Sequence, residues 1–125
     1  LLDAPCSASG VFRRHPDVLH LKGSRDLKPL LAIQAQLLDR ACDWLAPGGR
    51  LVYCTCSLLP AEGEAQVARF LRDTPDARIV PPDPATLGID PDWIGADGAL
   101  HLRPDLWPEI GGMDGFYAAC LTRTP

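Results

Sequence analysis

The sequence lacks both a long hydrophobic run and a secretion signal. No apolar stretch in the 125 residues approaches the roughly 20 residues that span a bilayer. The chain does not open with the charged, apolar and small-residue segments of a signal peptide either. We therefore expect no membrane partner and take the cytoplasm as the default compartment.

The sequence also lacks a surplus of basic residues. It has 12 Lys and Arg residues against 16 Asp and Glu residues, which gives a formal net charge of -4. A free-standing nucleic-acid binder needs a positively charged contact face to neutralise phosphates. The composition argues against such a module, so any contact with nucleic acid must be local.

Glycine-rich phosphate-binding loops are missing as well. Neither Gly-x-Gly-x-x-Gly nor Gly-Lys-Ser/Thr occurs in the chain. The first residue is Leu1 rather than Met, and Leu1-Leu2-Asp3 resembles the end of a buried strand. We expect residues 1–125 to be the C-terminal part of a single domain, and any nucleotide-binding loop to precede Leu1.

Cysteines are present, but in an odd number, five. Without a secretion signal, thiols are expected to stay reduced, so a disulfide framework is not predicted. Cys42, Cys54 and Cys120 lie in apolar stretches and are interpreted as core side chains. Cys6 and Cys56 instead follow predicted strands, which raises the question of their reactivity.

Hydrophobic periodicity predicts alternating strands and helices. The apolar spacing from Leu27 to Leu45 is that of a helix with one buried face, ended by Pro47-Gly48-Gly49, and Pro29 is tolerated only in its first turn. Runs of apolar, β-branched and aromatic residues predict strands, whereas Pro, Asp and Gly together predict a loop. The expected strands are 1–3, 51–56, 77–80, 99–102 and 115–121, the second helix is 62–73, and the irregular loop is 81–98.

This order of elements is typical of an α/β fold with an open, mostly parallel sheet and a late antiparallel strand near one edge. Ligands of such sheets lie outside the carboxyl ends of the strands. The loops that contain Cys6 and Cys56 both follow such ends. The sequence therefore predicts that the two thiols belong to one site.

Two segments carry a resemblance to a known family: Asp3-Ala4-Pro5-Cys6-Ser7 and Thr55-Cys56-Ser57. They resemble the Asp-Ala-Pro-Cys and Thr-Cys-Ser motifs of the Sun (NOL/NOP/Sun) family of RNA cytosine-5 methyltransferases. Residues 10–17 and 112–117 are similar to the bacterial branch that modifies small-subunit ribosomal RNA. The resemblance covers nearly the whole chain and is weakest from 74 to 110.

The resemblance implies the C-terminal half of a Rossmann-like methyltransferase domain, with S-adenosylmethionine as cofactor and RNA as partner. Carbon 5 of cytosine is a weak nucleophile, so a thiolate must first add to carbon 6. The resemblance assigns that attack to Cys56, a role in product release to Cys6, and contact with ring nitrogen 3 to Asp3. It also implies that Asp3 and Pro5 border the cofactor.

The expected RNA contacts are Arg13, Arg14 and His15. A target base must leave any helical stack to reach a buried site, and these residues would then bind the backbone beside it. An arginine pair is equally typical of a solvated surface. A half-sheet with an exposed edge also predicts self-association of this chain.

Several alternatives remain open at this point. In DNA cytosine methyltransferases the Pro-Cys cysteine is the nucleophile, which would make Cys6 the attacking residue. Cys6 with Cys56 or Cys54 could form the reversible disulfide of a redox sensor. Cys54-x-Cys56 does not have the usual spacing of zinc ligands, so no metal is expected. The remaining alternative is a non-catalytic RNA-binding or ribosome-assembly module.

Overall fold

The computed structural model describes residues 1–21 and 24–124, in which strands and helices alternate. The helices are α1 (Val18–Leu21), α2 (Ser24–Asp43), α3 (Glu64–Asp73) and α4 (Pro84–Leu87). The strands are β1 (Leu2–Asp3), β2 (Arg50–Thr55), β3 (Ala77–Ile79), β4 (Leu100–Leu102) and β5 (Phe116–Arg123). Short 3-10 helices cover Ser9–Val11, Pro60–Glu62, Pro91–Trp93 and Pro108–Ile110.

The five strands form one sheet in the order β1-β2-β5-β3, and β4 also pairs with β5. Strands β1 and β2 are parallel neighbours, whereas β5 is antiparallel to β2, β3 and β4. Four of these strands therefore run in one direction, and β5 runs against them. This arrangement confirms the predicted mostly parallel α/β sheet with a late antiparallel strand. That strand does not lie near an edge as predicted, because β5 has β2 on one side and β3 and β4 on the other.

Strand β5 connects most of the sheet. One of its edges pairs with β2 from Arg50↔Thr122 to Thr55↔Tyr117. Its other edge is shared, because β3 pairs with residues 121–123 and β4 with residues 116–118. The run from Phe116 to Leu121 contains no charged residue, as expected for a strand with neighbours on both sides.

The core lies where α2 and α3 pack against the sheet. Leu38 of α2 and Phe70 of α3 are buried there together with Tyr53 of β2 and Leu121 of β5. Complete burial of a large apolar side chain contributes roughly 1.5–3 kcal/mol, so these contacts account for much of the helix docking. The core thus holds β2, and with it the loop of Cys56, against both helices.

Helix α2 differs from the prediction at its start. It begins at Ser24, so Pro29 lies in the second turn and not in the first. Proline has no backbone N–H, so the hydrogen bond to the carbonyl four residues earlier is absent there. The end of the helix at Asp43, before Pro47-Gly48-Gly49, is as predicted, and Gly48 adopts a φ of +74° that suits glycine.

The segment 81–98 is not wholly irregular, which corrects the sequence prediction. The Asp83 carboxylate caps α4 by accepting hydrogen bonds from Ala85 N at 3.2 Å and from the Thr86 hydroxyl at 2.5 Å. Asp90 caps the next 3-10 helix, accepting from Asp92 N at 2.9 Å. In both cases proline follows the capping Asp, a start signal that the Pro- and Gly-rich composition conceals.

Candidate active site

Cys6 and Cys56 lie side by side beyond the carboxyl ends of β1 and β2. These strands are parallel neighbours in the register Asp3↔Cys54, and Ala4 N donates a hydrogen bond to Cys54 O at 2.9 Å. The two Sγ atoms are 3.5 Å apart, within hydrogen-bond distance for sulfur. The structure thus brings together the two thiols that the sequence motifs single out.

The surroundings of Cys6 keep its thiol protonated. Burial is the main cause that raises the pKa of Cys6 to about 12; the Ala8 backbone acts in the opposite direction, and Cys56 adds to the rise. A thiol must lose its proton to become a strong nucleophile. Burial therefore disfavours the thiolate of Cys6, and the assignment of Cys56 as the attacking residue stays a prediction.

A buried carboxylate, that of Glu62, contacts both cysteine loops. Its Oε1 accepts hydrogen bonds from Ser7 N at 2.8 Å and from Gln34 Nε2 at 3.0 Å. Its Oε2 accepts from Ser7 Oγ at 2.5 Å and from Ser57 Oγ. Burial acts to raise the pKa of Glu62, but the hydrogen bonds from Ser57, Ser7 and Gln34 outweigh it and hold the pKa below its ordinary value.

Sequence reasoning missed this role of Glu62, which the hydrophobic pattern marks only as the start of the predicted second helix. Acidic side chains at helix starts are favourable there and are mostly exposed, so the pattern contains no sign of burial. The available signal is the serine that directly follows each motif cysteine, Ser7 and Ser57. Matching hydroxyls at both sites indicate a shared acceptor.

A third loop, residues 111–115, packs against the two cysteine loops. Gly10 N donates to Cys56 O at 2.9 Å, and Gly115 N donates to Gly10 O at 2.7 Å. A Cβ atom on Gly10 would lie 2.2 Å from Gly115 O and 2.8 Å from Cys56 O. Only glycine permits this close approach, which joins the loop of Cys56 to the third loop.

Arg13 and Arg14 bind the third loop from the other side. Arg13 donates to its main-chain carbonyls, and Arg14 Nε donates to Asp114 Oδ2 at 2.8 Å. Both arginines remain exposed, with 65% of the Arg14 side chain accessible, and His15 is exposed beside them. The contacts leave guanidinium surface for a phosphate, and the role of all three residues in RNA binding stays a prediction.

Asp3 and Pro5 are exposed at the carboxyl end of β1, where an open α/β sheet binds ligands. Cys54 Sγ lies 3.9 Å from Asp3 Oδ1, and burial, with the charge of Asp3, raises the pKa of Cys54 to about 11. An exposed carboxylate can accept hydrogen bonds from an amino group or a ring N–H. Asp3 and Pro5 therefore fit one side of the expected cofactor and base site.

A cavity of about 640 Å³ opens beside the thiols. Ser57 and Leu58 belong to its wall, but neither Cys6 nor Cys56 lines it. On another wall, His101 Nε2 lies 2.9 Å from Asp97 Oδ1. Its volume is in the range of small-ligand sites. The sequence pattern does not indicate it, because its lining comes from segments that are distant in sequence.

Within residues 1–21 and 24–124, no three or more His, Cys, Asp or Glu side chains are grouped so that they could hold a metal ion. In the same residues no helix has the length and apolar character needed to cross a membrane.

Nearly the whole chain matches a family of methyltransferases. The family model described as 16S rRNA methyltransferase RsmB/F aligns with residues 1–122. The chain belongs to the RsmB/F family. This membership confirms the Sun-type resemblance that the two cysteine motifs carry.

One relative shows how similar this chain is to an individual member of the RsmB/F family and how much of that member it covers. The chain is 45% identical over 123 residues to the ribosomal RNA small subunit methyltransferase B of Vibrio cholerae. The alignment covers 98% of this chain and 25% of that protein. The chain thus spans about a quarter of the length of the curated relatives that it matches over nearly all of its residues.

Solved structures show the same fold. The crystal structure of PH0851 has a TM-score of 0.81 and 31% identity, over 98% of this chain and 26% of that chain. NSun6 from Pyrococcus horikoshii with SFG has a TM-score of 0.72 and 24% identity, over 99% of this chain and 29% of that chain. These likenesses confirm the Rossmann-like methyltransferase fold predicted for the RsmB/F chain.

Proposed function

We propose that the complete protein transfers a methyl group from S-adenosylmethionine to carbon 5 of a cytosine, through a covalent cysteine–cytosine intermediate. The substrate is small-subunit ribosomal RNA in the cytoplasm, in keeping with the names of the relatives. The observation that carries the proposal is the 3.5 Å separation of Cys6 Sγ and Cys56 Sγ in a chain of this family.

Cys56 is the nucleophile in this proposal. Its thiolate forms a bond to carbon 6, and the electron pair of the C5–C6 double bond makes carbon 5 nucleophilic. Asp3, the last residue of the neighbouring strand β1, shares a proton with ring nitrogen 3, where the addition increases the electron density. S-adenosylmethionine, when bound beside Asp3 and Pro5, supplies the electrophilic methyl group that carbon 5 takes up.

Cys6 assists product release. Carbon 5 loses its proton to solvent, the C5–C6 double bond forms again, and the bond between carbon 6 and Cys56 Sγ breaks. Because its pKa is about 12, Cys6 keeps a proton with which to hydrogen-bond the departing sulfur, 3.5 Å away. One methyl group has entered, one proton has left, and both thiols are restored.

Arg13 and Arg14 provide the local positive charge for the RNA backbone on a chain of net charge -4, and His15 lies beside them as a further RNA contact. The chain spans about a quarter of the length of its curated relatives, and we propose that it is the C-terminal part of the catalytic domain. The cofactor loop and further RNA-binding surface then belong to the remainder of the complete protein.

Replacing Cys6 by alanine in the complete protein should trap the covalent intermediate. Without the thiol that assists release, the bond between Cys56 and the cytosine should persist after methylation. The complete protein with unmodified small-subunit ribosomal RNA and S-adenosylmethionine should then give a slowly migrating protein–RNA band on a denaturing gel.

The matched control replaces Cys56 as well, and this double variant should give no band. Methylation that persists in the Cys6 variant without an adduct, but is lost in the Cys56 variant, would retain the enzyme and reject the role of Cys6. If the unmutated protein methylates no RNA, the non-catalytic RNA-binding module becomes the better account.

A further inference from the structure

The buried carboxylate of Glu62 joins three parts of the chain that are distant in sequence. It receives four hydrogen bonds, from Ser7 N, Ser7 Oγ, Gln34 Nε2 and Ser57 Oγ. Ser7 follows β1, Ser57 follows β2, and Gln34 lies on α2. Both oxygens are therefore surrounded by donors, which requires a carboxylate that only accepts hydrogen bonds.

Two of the three residues that donate to Glu62 are direct sequence neighbours of the thiols. Ser7 directly follows Cys6, and Ser57 directly follows Cys56. Gln34 Nε2 also donates to Pro5 O at 2.9 Å, so the chain is held on both sides of Cys6. The position of each thiol thus depends on the same carboxylate.

Further hydrogen bonds hold the loop after Cys56 in place. Ser57 Oγ accepts from Leu59 N at 3.0 Å and lies 3.1 Å from Ser9 Oγ. Ser9 Oγ in turn accepts from Leu58 N at 2.9 Å. Glu62 binds Ser57 directly, and Ser57 in turn contacts Ser9 and Leu59. Loss of the negative charge of Glu62 should therefore weaken the hydrogen bonds that hold the loop after Cys56.

We propose that Glu62 is a positioning residue whose ionised carboxylate sets the separation of the Cys6 and Cys56 thiols, and thereby the rate of the release step that uses both. The inference rests on the proposed function for its effect on catalysis. Its effect on thiol separation is independent of any substrate. Glu62 touches neither thiol in the described contacts and acts through Ser7, Ser57 and Gln34.

The test compares Glu62→Gln with Glu109→Gln in the complete protein. The first replaces one acceptor oxygen by an amide N–H₂ that faces existing donors, and the second makes the same charge change at an exposed site. Thiol separation is measured without RNA, as the rate at which dibromobimane cross-links Cys6 to Cys56. Methylation kinetics and the amount of covalent adduct are then measured on the same preparations.

We expect Glu62→Gln to slow cross-linking, and to lower kcat by about a hundredfold, the effect of displacing reacting groups by ~1 Å. The KM for RNA should not change, and the covalent adduct should accumulate as in Cys6→Ala. Glu109→Gln should behave as the unmutated protein. Unchanged cross-linking and kcat in Glu62→Gln, or a loss confined to KM, would overturn the inference.

A second variant covers the case in which Glu62→Gln does not fold. Ser7→Ala removes only one of the four hydrogen bonds and should change cross-linking and kcat in the same direction by a smaller factor. In a folded Glu62→Gln background it should add little, because both changes remove the same interaction. An effect of Ser7→Ala that is zero, or fully additive, counts against the inference.

The outcome is distinguishable from a failure of the proposed function. If the unmutated protein forms no adduct and methylates no cytosine while Glu62→Gln still slows cross-linking, the chemistry is wrong and the positioning is right. If the unmutated protein methylates and Glu62→Gln matches it in every measurement, the proposed function is right and the positioning role of Glu62 is wrong.

Discussion

Cys6 should react slowly with alkylating reagents until the pH is high. Burial raises the pKa of Cys6 to about 12, so its thiolate fraction should keep increasing with pH well above 9.0, the ordinary value for a thiol. We expect the rate of Cys6 alkylation by iodoacetamide to rise with pH without levelling off near 9.0. Peptide mass spectrometry after timed labelling measures this residue by residue.

Cys54 provides an internal comparison for that experiment. It is more deeply buried than Cys6, and the pKa of Cys54 is about 11, raised first by burial and then by Asp3. It should therefore label slowly as well. A Cys6 rate that reaches a plateau below pH 9.0 would show a readily formed thiolate and would favour the assignment of Cys6 as nucleophile.

The proximity of Cys6 and Cys56 could be predicted from sequence, because each follows a strand whose carboxyl end points to the same side of a parallel sheet. Glu62 could not be predicted, since its burial depends on Ser7 and Gln34, which are 55 and 28 residues away. Contacts between residues this far apart in sequence form only in the assembled fold, so the local hydrophobic pattern does not indicate them.

Among the elements, the 3-10 helix Ser9–Val11 should tolerate no side chain at position 10, because Gly10 approaches Gly115 closely. Gly10→Ala would place a Cβ atom 2.2 Å from Gly115 O, so the loops must separate. We expect a loss of roughly 1–3 kcal/mol in stability, the usual effect of overpacking, together with reduced methylation. Thermal unfolding and methylation of the complete protein measure the two effects.

The control for Gly10→Ala is the opposite exchange at a neighbouring position. Ala8 has a φ of +57°, a conformation that glycine adopts more readily. Ala8→Gly should therefore leave stability within about 1 kcal/mol of the unmutated protein. Equal losses in the two variants would mean that the loop tolerates no change at all, and the specific contact of Gly10 would not be the cause.

The long elements were predictable because their burial is periodic, as in β2 and the apolar face of α2. The short ones were not, since α4 and the Pro91–Trp93 turn depend on the caps Asp83 and Asp90 rather than on an apolar stripe. The order of the strands in the sheet could not be predicted from the hydrophobic pattern either. Pairing of β2 with β5 instead of β3 is decided by contacts between distant segments.

For the whole molecule, the 125-residue chain on its own should self-associate. Strand β1 ends the described sheet, and an apolar surface adjoins it in which Leu1 is 90% and Trp44 is 76% exposed. An unpaired strand edge beside apolar surface is a template for pairing between chains. Light scattering at several concentrations should show a mass that rises with concentration.

The matched control for self-association is Trp44→Ser in the same chain, which should weaken the association without altering the cysteine loops. A monomer at every concentration of the 125-residue chain would contradict the prediction.

The central position of β5 constrains how the protein can be made. Ribosomes synthesise a chain from its N-terminus, so β2, β3 and β4 all leave the exit tunnel before the strand that they pair with. Until β5 emerges, β2 has only β1 as a neighbour, β3 and β4 lack their pairing with β5, and the third loop just before β5 cannot pack on Gly10. The thiol site is therefore completed near the end of translation of this region, and a nascent chain that stalls before Phe116 should be a client of chaperones.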